Sequence, residues 1–280
     1  MGSVYAVIAL GFVTIYRSSR IVNMAQGSFV MFGGFFAFSM FSELGLPYWL
    51  SAIIGVILVV VLAVLMWLVV LKPVLKISLA PMILLTVALS LLFENLSLVK
   101  YGGYTKTLPA FGGDHTFQIG GVFITAQSLY IIGIVIVMLV ALYFLNNRTV
   151  VGKRMTATAT NPMAASLSGI NVTKMISISF IISAAIGAIG GVAISSYVGG
   201  ITYAYGGMYG MMGFIAAVLG GWGSSSGAVV GGLILGIAQA LSTGLVPAGY
   251  KNVVAFIILL IVVYFRPQGL LGKSVPEGEA

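Results

Sequence analysis

Residues 49–71 read WLSAIIGVILVVVLAVLMWLVVL, a run of 23 residues without a charge that ends at Lys72 and Pro73. A helix needs about 20 predominantly apolar residues to cross the roughly 30 Å hydrocarbon core of a bilayer. This stretch therefore predicts a transmembrane helix, and it determines the class of fold to which the chain belongs.

The rest of the chain has the same character. Of its 280 residues, 60% are apolar and 6% are charged, whereas soluble domains carry about 25% charged residues. The apolar residues would fill about eight membrane spans. This composition excludes a soluble enzyme, a DNA-binding domain and a disordered protein, so we expect contact with membrane lipid and not with nucleic acid. The net charge of +8 is typical of basic loops beside a membrane.

Charged residues and turn residues divide the apolar sequence into segments. We predict spans at residues 3–16, 21–41, 49–71, 79–99, 126–145, 175–197, 227–246 and 252–265, and a short Gly-rich piece at 207–222 that is either a further span or re-entrant. The expected fold is all-α: a polytopic transmembrane helical bundle of about eight to nine spans, among which re-entrant or broken segments are allowed. Residues 1–280 would form one domain, with polar loops at 100–124 and 146–174.

The first predicted span is short, because its 14 residues rise only about 21 Å as a helix. A signal peptide would have a basic residue before it, and none is present. We expect a chain that begins inside its first helix, through truncation or an alternative start, and a true half-helix remains the alternative.

The basic residues predict the orientation, because cytoplasmic loops are rich in Lys and Arg. Alternating the predicted spans places ten of the thirteen basic residues on one side: Arg17, Arg20, Lys72, Lys76, Arg148, Lys153, Arg154, Lys174, Arg266 and Lys273. Lys100, Lys106 and Lys251 fall on the other side. This split favours a cytoplasmic C-terminus and places loop 100–124 outside.

Few residues suit catalysis or ion coupling. The chain has no Cys, one His and five acidic residues, and these are too scattered to predict a metal site. Glu94 is the only acidic residue within a predicted span; it either reaches the outer interface or belongs to a transport pathway. Residues 269–274 read GLLGKS, but Pro267 stands where a phosphate-binding loop needs Gly. We therefore expect neither an enzyme nor a nucleotide site.

Three stretches carry more specific information, and the first is a polar patch near the start of the second span. Asn23, Gln26 and Gly27 stand at i, i+3 and i+4, so they would share one face of a helix. Together with Ser28, they form either an interfacial polar patch or the lining of a water-filled path. We select Asn23, Gln26, Gly27 and Ser28 as candidate residues of that path.

The second stretch is NPMAASLSGI at residues 161–170, within loop 146–174. Asn161 can cap a helix, Pro162 suits the first helical position, and Gly169 suits a C-terminal stop. The pattern predicts a two-turn helix with a small apolar content. Such a helix is either a plain amphipathic surface helix or, as we favour, a docking element for a soluble partner.

The third stretch is rich in Gly. Residues 220–227 read GGWGSSSG and predict a tight turn, and the pairs Gly227/Gly231 and Gly232/Gly236 have the small-xxx-small spacing that permits close helix contact. Gly187 and Gly191 repeat this spacing in the sixth predicted span. We interpret most of these glycines as packing residues.

These stretches, in this order, resemble the permeases of branched-chain amino acid ABC importers of the high-affinity, binding-protein-dependent kind. GSVYAVIALG at 2–11 is similar to the first-helix motif of the family, and IVNMAQG at 21–27 is similar to its Asn-Phe-Ala-His-Gly motif. GKRMTA at 152–157, with NPMAASLSGI, resembles the cytoplasmic coupling loop. AVLGGWGS at 217–224 and FRPQGLLG at 265–272 resemble the C-terminal signatures. The resemblance covers nearly the whole chain.

The resemblance implies a multi-pass subunit of the prokaryotic cytoplasmic (inner) membrane that forms the translocation path with a second permease, homologous or identical. It also implies two cytoplasmic ATPases, which would bind the ATP and Mg that this chain does not, and an extracytoplasmic substrate-binding protein. The ATPases would dock on the loop at 146–174, for which we select the coupling residues Asn161, Pro162, Ala164, Ala165, Gly169 and Ile170.

The chain departs from the family pattern at positions that bear on the substrate. The family usually has His at the position of Gln26 and often has an acidic residue at Ser28, a Lys near Met212 and a Glu near Gln239. Leucine, isoleucine and valine are the expected substrates, but related permeases carry other amino acids, urea or amides. The competing hypothesis is a self-contained secondary transporter or channel for a small polar solute, whose broken helices would bind substrate near the midplane.

Overall fold

The computed structural model describes residues 1–74, 79–111, 115–119, 122–245 and 247–272. Its helices, in chain order, are α1 Gly2–Ser19, α2 Gln26–Phe38, α3 Tyr48–Met66, α4 Lys72–Val74, α5 Leu79–Tyr101, α6 Ala126–Arg148, α7 Val150–Thr160, α8 Pro162–Leu167, α9 Val172–Tyr197, α10 Tyr205–Gly220, α11 Ser225–Leu245 and α12 Lys251–Phe265. π-Helical turns at Ser39–Glu43 and Trp67–Leu71 extend α2 and α3, and a 3-10 turn at Ala248–Tyr250 precedes α12.

The chain is mostly helical, as expected, with one addition to the all-α prediction. Strands β1 Thr116–Ile119 and β2 Val122–Thr125 pair as an antiparallel hairpin, with Thr116 opposite Thr125. The hairpin lies within the predicted polar loop at 100–124, where alternating side chains in short runs favour strands over helix.

Among the described residues, five helices are long and apolar enough to cross a membrane: Tyr48–Val74, Pro81–Tyr101, Ala126–Arg148, Val172–Tyr197 and Ser225–Gly244. Helices α10 and α12 are apolar but shorter. The multi-pass class is therefore correct, and five of the predicted spans correspond to helices of spanning length.

Three predicted boundaries were wrong. Helix α1 has 18 residues, which gives it a length of about 27 Å, because it begins at Gly2 and continues beyond residue 16 through three polar residues, Arg17, Ser18 and Ser19. The second span begins at Gln26 and not at residue 21, since residues 21–25 are not helical. The predicted polar loop at 146–174 is largely helical, because α7 and α8 each have a capping residue before their first turn.

Helix α1 lies at the centre of the bundle. Every residue from Val4 to Ile15 is buried, and α9, α10 and α11 surround the helix. The small residues predicted to pack do so: Gly232 meets Ala6 of α1, Gly236 meets Gly2, and Gly191 of α9 meets Val30 of α2. A Cβ atom at any of these glycines would overlap the facing backbone, so the glycines set the distance between the helices.

Helices α3, α5 and α6 form the periphery. Their outward apolar side chains are exposed, including Ile57 on α3, Leu91 on α5 and Val137 on α6. Contiguous exposed apolar surface on this scale indicates contact with lipid or with another membrane protein.

The helices separate the basic residues into two groups. A shared cleft brings the ends of α1, α6 and α12 together, and these three ends carry four basic residues: Arg17, Arg20, Arg148 and Arg266. We call this end of the bundle the basic end. Lys106 lies at the opposite end, where its backbone pairs with Ile201 beyond the end of α9. Lys76 and Lys273 lie outside the described residues.

Candidate functional site

Two short helices begin inside the bundle and not at its ends. Helix α2 starts at Gln26, whose side chain contacts Gly11 of α1 and Ser183 of α9. Both contact residues lie near the middle of their own helices. Gln26 therefore marks the mid-depth of the bundle, and α2 extends from there toward the end opposite the basic end.

Helix α10 begins nearer the opposite end, at the level of Tyr5 and Glu94, and runs the other way. Its first turn meets the first turn of α2, since Gly206 and Gly210 both lie against Gly27. Helix α10 then reaches the basic end at Gly220, beside the turn that leads into α11. The short segment predicted at 207–222 is a helix of 16 residues that starts inside the bundle and ends at the basic end.

The contact between these two helix starts requires glycine. A Cβ atom on Gly27 would overlap the carbonyl oxygen of Gly206, and a Cβ on Gly210 would lie 2.9 Å from the Cα of Gly27. Only residues without side chains let two backbones approach this closely. The positive ends of two helix dipoles consequently lie close together, and the N–H groups of Gln26, Ser28 and Tyr205 already have backbone partners.

Gln26 is held in a buried polar network. It has no exposed surface. Its Nε2 donates to the Ser183 carbonyl oxygen at 3.0 Å, and its Oε1 accepts from the Ser183 hydroxyl at 2.7 Å. The same hydroxyl is 2.7 Å from the carbonyl oxygen of Gly11. Gln26 thereby ties α1, α2 and α9 together.

The sequence spacing predicted that Asn23 and Gln26 share one helical face, and this prediction was wrong. Asn23 precedes α2 in a turn, where its Oδ1 accepts the Ala25 N–H at 3.1 Å and its carbonyl oxygen accepts the Gln26 N–H at 3.2 Å. Its side chain is buried and borders a cavity of about 10 Å³. The spacing argument failed because Asn hydrogen-bonds its own backbone readily, which favours a turn over a helix.

One face of helix α5 carries a stripe of polar residues, and this face lies toward the starts of α2 and α10. Thr86, Ser90 and Glu94 stand at i, i+4 and i+8, so they lie on one face. The Thr86 hydroxyl oxygen accepts the Met24 N–H at 3.1 Å, and Ser28 donates to Ser90 at 3.1 Å. Sequence reasoning missed Thr86 and Ser90, although their four-residue spacing along an apolar helix was a usable signal.

Glu94 completes the stripe at the first turn of α10. Its carboxylate accepts a hydrogen bond from the Gly207 backbone, and a Cβ atom on Gly207 would lie 2.8 Å from Oε1. A negative charge at a helix N-terminus is favourable. Of the two interpretations offered by the sequence, the outer interface and the interior, the structure shows the carboxylate turned inward onto α10.

Helix α8 matches its sequence prediction closely. Asn161 Oδ1 accepts the Ala164 N–H at 2.9 Å, Pro162 is the first helical residue, and Gly169 has a φ of 79°. After the helix, the Ile170 N–H donates to Ala165 at 3.0 Å, which closes the C-terminal turn.

The exposed face of α8 is apolar. Met163 and Leu167 are 76% and 83% exposed, whereas Ala165 is only 5% exposed. Sequence reasoning chose Ala164 and Ala165 and left out the two residues with the largest exposed surface. The signal for Met163 and Leu167 was their spacing of four residues, which places both on one helical face.

The two Gly-rich signatures near the C-terminus lie against each other. The N–H groups of Leu270 and Leu271 donate to the carbonyl oxygens of Leu219 and Gly220, both at 2.9 Å. The segment after α12 thus caps the last carbonyls of α10, which would otherwise lack partners. Lys273 and Ser274 of the phosphate-loop-like motif lie outside the described residues.

No three His, Cys, Asp or Glu side chains come together to hold a metal ion in the part of the chain that the structure describes. What the structure does present is a bundle in which two short helices begin inside the apolar interior, with their first turns in contact beside a polar stripe. Discontinuous helices of this kind form substrate sites in membrane transport proteins, and that is the class this fold and site define.

Comparison with known proteins identifies the family within this class. The sequence profile of the family described as the permease component of branched-chain amino acid transport systems matches residues 1–263. The chain is 33% identical over 292 residues to the high-affinity branched-chain amino acid transport system permease protein LivH of Escherichia coli K12, with coverage of 100% of this chain and 94% of LivH.

Two further relatives have similar names. The permease protein BraD of Pseudomonas aeruginosa is 30% identical over 297 residues, covering 100% of this chain and 94% of BraD. A probable branched-chain amino acid transport permease of Methanocaldococcus jannaschii is 26% identical over 284 residues, covering 95% and 87%. No solved structure matches significantly. The chain belongs to the family of permease components of branched-chain amino acid transport systems.

Proposed function

We propose that this chain is the permease subunit of an ATP-binding-cassette importer and forms the translocation path for branched-chain or related amino acids. The observation that carries the proposal is the similarity to LivH and BraD along the whole chain. The interrupted helices are consistent with it, because they place polar backbone inside an otherwise apolar bundle.

The path runs past the facing starts of α2 and α10. The dipoles of two helix N-termini suit the carboxylate of an amino acid, and the α5 stripe supplies hydroxyl groups and the Glu94 carboxylate. Asn23, Gln26, Gly27 and Ser28 shape this site from the α2 side. They are buried in the present conformation, so opening of the path requires α2, α5 and α10 to move relative to each other.

Partner subunits supply the energy for transport. Two cytoplasmic ATPases bind ATP and Mg and dock on residues 146–174 within the single permease domain of residues 1–280. Asn161, Pro162, Ala164, Ala165, Gly169 and Ile170 form and support the docking helix α8. An extracytoplasmic binding protein delivers the substrate, and a second permease packs against the apolar periphery. In this arrangement the basic end and the C-terminus are cytoplasmic, and eight or nine passes cross the inner membrane, with α2 and α10 as the interrupted ones.

Reconstitution tests the proposal directly. Proteoliposomes that contain this chain, its partner permease, the ATPases and the binding protein should accumulate radiolabelled leucine, isoleucine or valine when ATP is inside. Omission of ATP, of the ATPases or of the binding protein should abolish accumulation. Uptake by the chain alone, driven by a proton or sodium gradient, would instead establish the secondary transporter. The same assay with other amino acids, urea and amides defines the substrate.

A further inference from the structure

A cleft of about 620 Å³ opens at the basic end of the bundle. Its walls come from five separate parts of the chain: the end of α1, the end of α6, the C-terminal half of α7, the turn between α10 and α11, and the segment after α12. The cleft lies about half the bundle's length from the facing starts of α2 and α10, so it is a separate site.

The lining has the chemistry of an anion receptor. Arg17 and Arg20 are its only charged residues among those the structure describes, and the side chains of Asn146, Thr156, Ser225 and Gln268 contribute amide and hydroxyl groups. Arg17 is half-buried, and the guanidinium of Arg20 lies 5.9 Å from the ring centroid of Tyr16. Two guanidinium groups beside neutral hydrogen-bonding groups favour a carboxylate or a phosphate.

The cleft is continuous with the proposed docking surface. Thr156 and Thr160 of α7 line it, and Asn161, the next residue in the chain, caps α8. A soluble protein seated on the exposed Met163 and Leu167 of α8 is therefore within reach of the cleft. The described lining is mixed, since Leu139, Leu271 and the rings of Tyr16, Tyr143 and Trp222 lie beside the polar groups. The position next to α8 is therefore the feature that favours a protein segment over a lipid.

Arg20 also connects the cleft to the transport site. It is the only non-glycine residue of the described chain with a positive φ, at 57°, a left-handed conformation that costs energy outside Gly. The five residues that follow it, 21–25, lead directly to the start of α2. A ligand that fixes Arg20 thus acts on the segment that positions Gln26.

We infer that this cleft is a second docking site for the ATPase subunit, which inserts an acidic segment whose carboxylates pair with Arg17 and Arg20. This inference rests on the proposed function. In it, α8 supplies the apolar part of the contact and the cleft supplies the charged part. Contact at Arg20 transmits the state of the ATPase to residues 21–25 and so to α2.

The test measures binding of the purified ATPase to the permease complex in nanodiscs. The double variant Arg17→Gln, Arg20→Gln should raise the dissociation constant for the ATPase at least tenfold. It should also reduce the dependence of that constant on salt concentration. The pair Arg17→Lys, Arg20→Lys keeps the charges and should recover part of the affinity. Lys72→Gln is the matched control, because Lys72 is an exposed basic residue that lies outside residues 146–174 and does not line the cleft, and it should leave the affinity unchanged.

Three results would overturn the inference. The first is an unchanged affinity in the double Gln variant with normal thermal stability. The second is an effect that appears only in nanodiscs containing phosphatidylglycerol and not in phosphatidylcholine, which would identify a lipid phosphate as the ligand. The third is loss of the effect after deletion of residues 273–280, whose Glu277 and Glu279 would then be the ligand. Failure of the wild-type complex to bind any ATPase would instead contradict the proposed function.

Discussion

At the scale of single residues, the site depends on positions where no side chain fits. Gly27 and Gly206 bring two helix starts together, and Gly11 leaves room for the side chain of Gln26. The polar partner of Gln26 is Ser183, 157 residues away in the chain. Small residues and one amide thus hold three helices around the mid-depth of the bundle.

We expect Gly27→Ala to lower the free energy of unfolding by about 1–3 kcal/mol, because the added methyl group must push α10 away from α2. Thermal unfolding of the purified permease in detergent measures this as a fall in Tm. Gly133→Ala on α6 is the control, since a Cβ there meets nothing within 4 Å. Equal Tm values for the two variants would contradict the close approach of α2 and α10.

At the scale of elements, α5 supports the interrupted helices through its polar face while its other face stays apolar. The hydroxyl oxygen of Thr86 accepts a hydrogen bond from the Met24 N–H, which belongs to the non-helical segment before α2. This contact satisfies a backbone group that neither a helix nor bulk water serves.

Thr86→Val keeps the shape of the side chain but leaves the Met24 N–H unpaired, which should cost about 1–3 kcal/mol. The measurement is again the Tm in detergent, supplemented by hydrogen exchange at residues 21–25, which should become faster. Val87→Thr, one residue along on the exposed face of α5, should change neither quantity. Slow exchange in the Thr86 variant would show that the hydroxyl is not the partner.

A second prediction at the scale of elements concerns helix α8. Met163→Asp with Leu167→Asp should reduce ATPase binding tenfold or more, because these exposed side chains form the apolar face, while Tm stays within the range of exposed substitutions. Ala165→Asp should lower Tm, since Ala165 is buried. Pull-down of the ATPase and thermal unfolding separate the two effects. Normal ATPase binding by the double variant would exclude α8 as the docking helix.

At the scale of the whole molecule, the two ends of the bundle differ. The cleft and its neighbouring arginines lie at the basic end, whereas the hairpin β1–β2 and the loop at 102–111 lie toward the opposite end. From the positive-inside rule we expect the basic end to be cytoplasmic. The absence of Cys allows each end to be tested with a single introduced thiol.

Tyr104→Cys should react with a membrane-impermeant maleimide in intact cells, because Tyr104 is 88% exposed at the end opposite the basic end. Leu167→Cys, at 83% exposure on α8, should react only after the membrane is permeabilised. Labelling is measured by the mass shift of the purified chain. The reverse pattern would invert the proposed orientation.

The sequence alone was sufficient for the longest apolar runs and for the caps of α8, which depend on local chemistry. Runs such as residues 49–71 must leave water whatever surrounds them, so the membrane class and five of the spans followed from length and apolarity. The caps of α8 were equally readable, because Asn161, Pro162 and Gly169 act within a few residues of their own positions.

Only the tertiary structure determined the site. Asn23 prefers a turn to a helix, and whether α2 starts at residue 21 or at Gln26 depends on Ser183 and Thr86, which are distant in the chain. The meeting of Gly27 with Gly206, the inward turn of Glu94 and the cleft around Arg17 and Arg20 likewise arise from packing between elements. Helical periodicity predicts which residues share a face of one helix. The neighbour that each face contacts depends on how whole helices pack, so these contacts could not be predicted from local sequence.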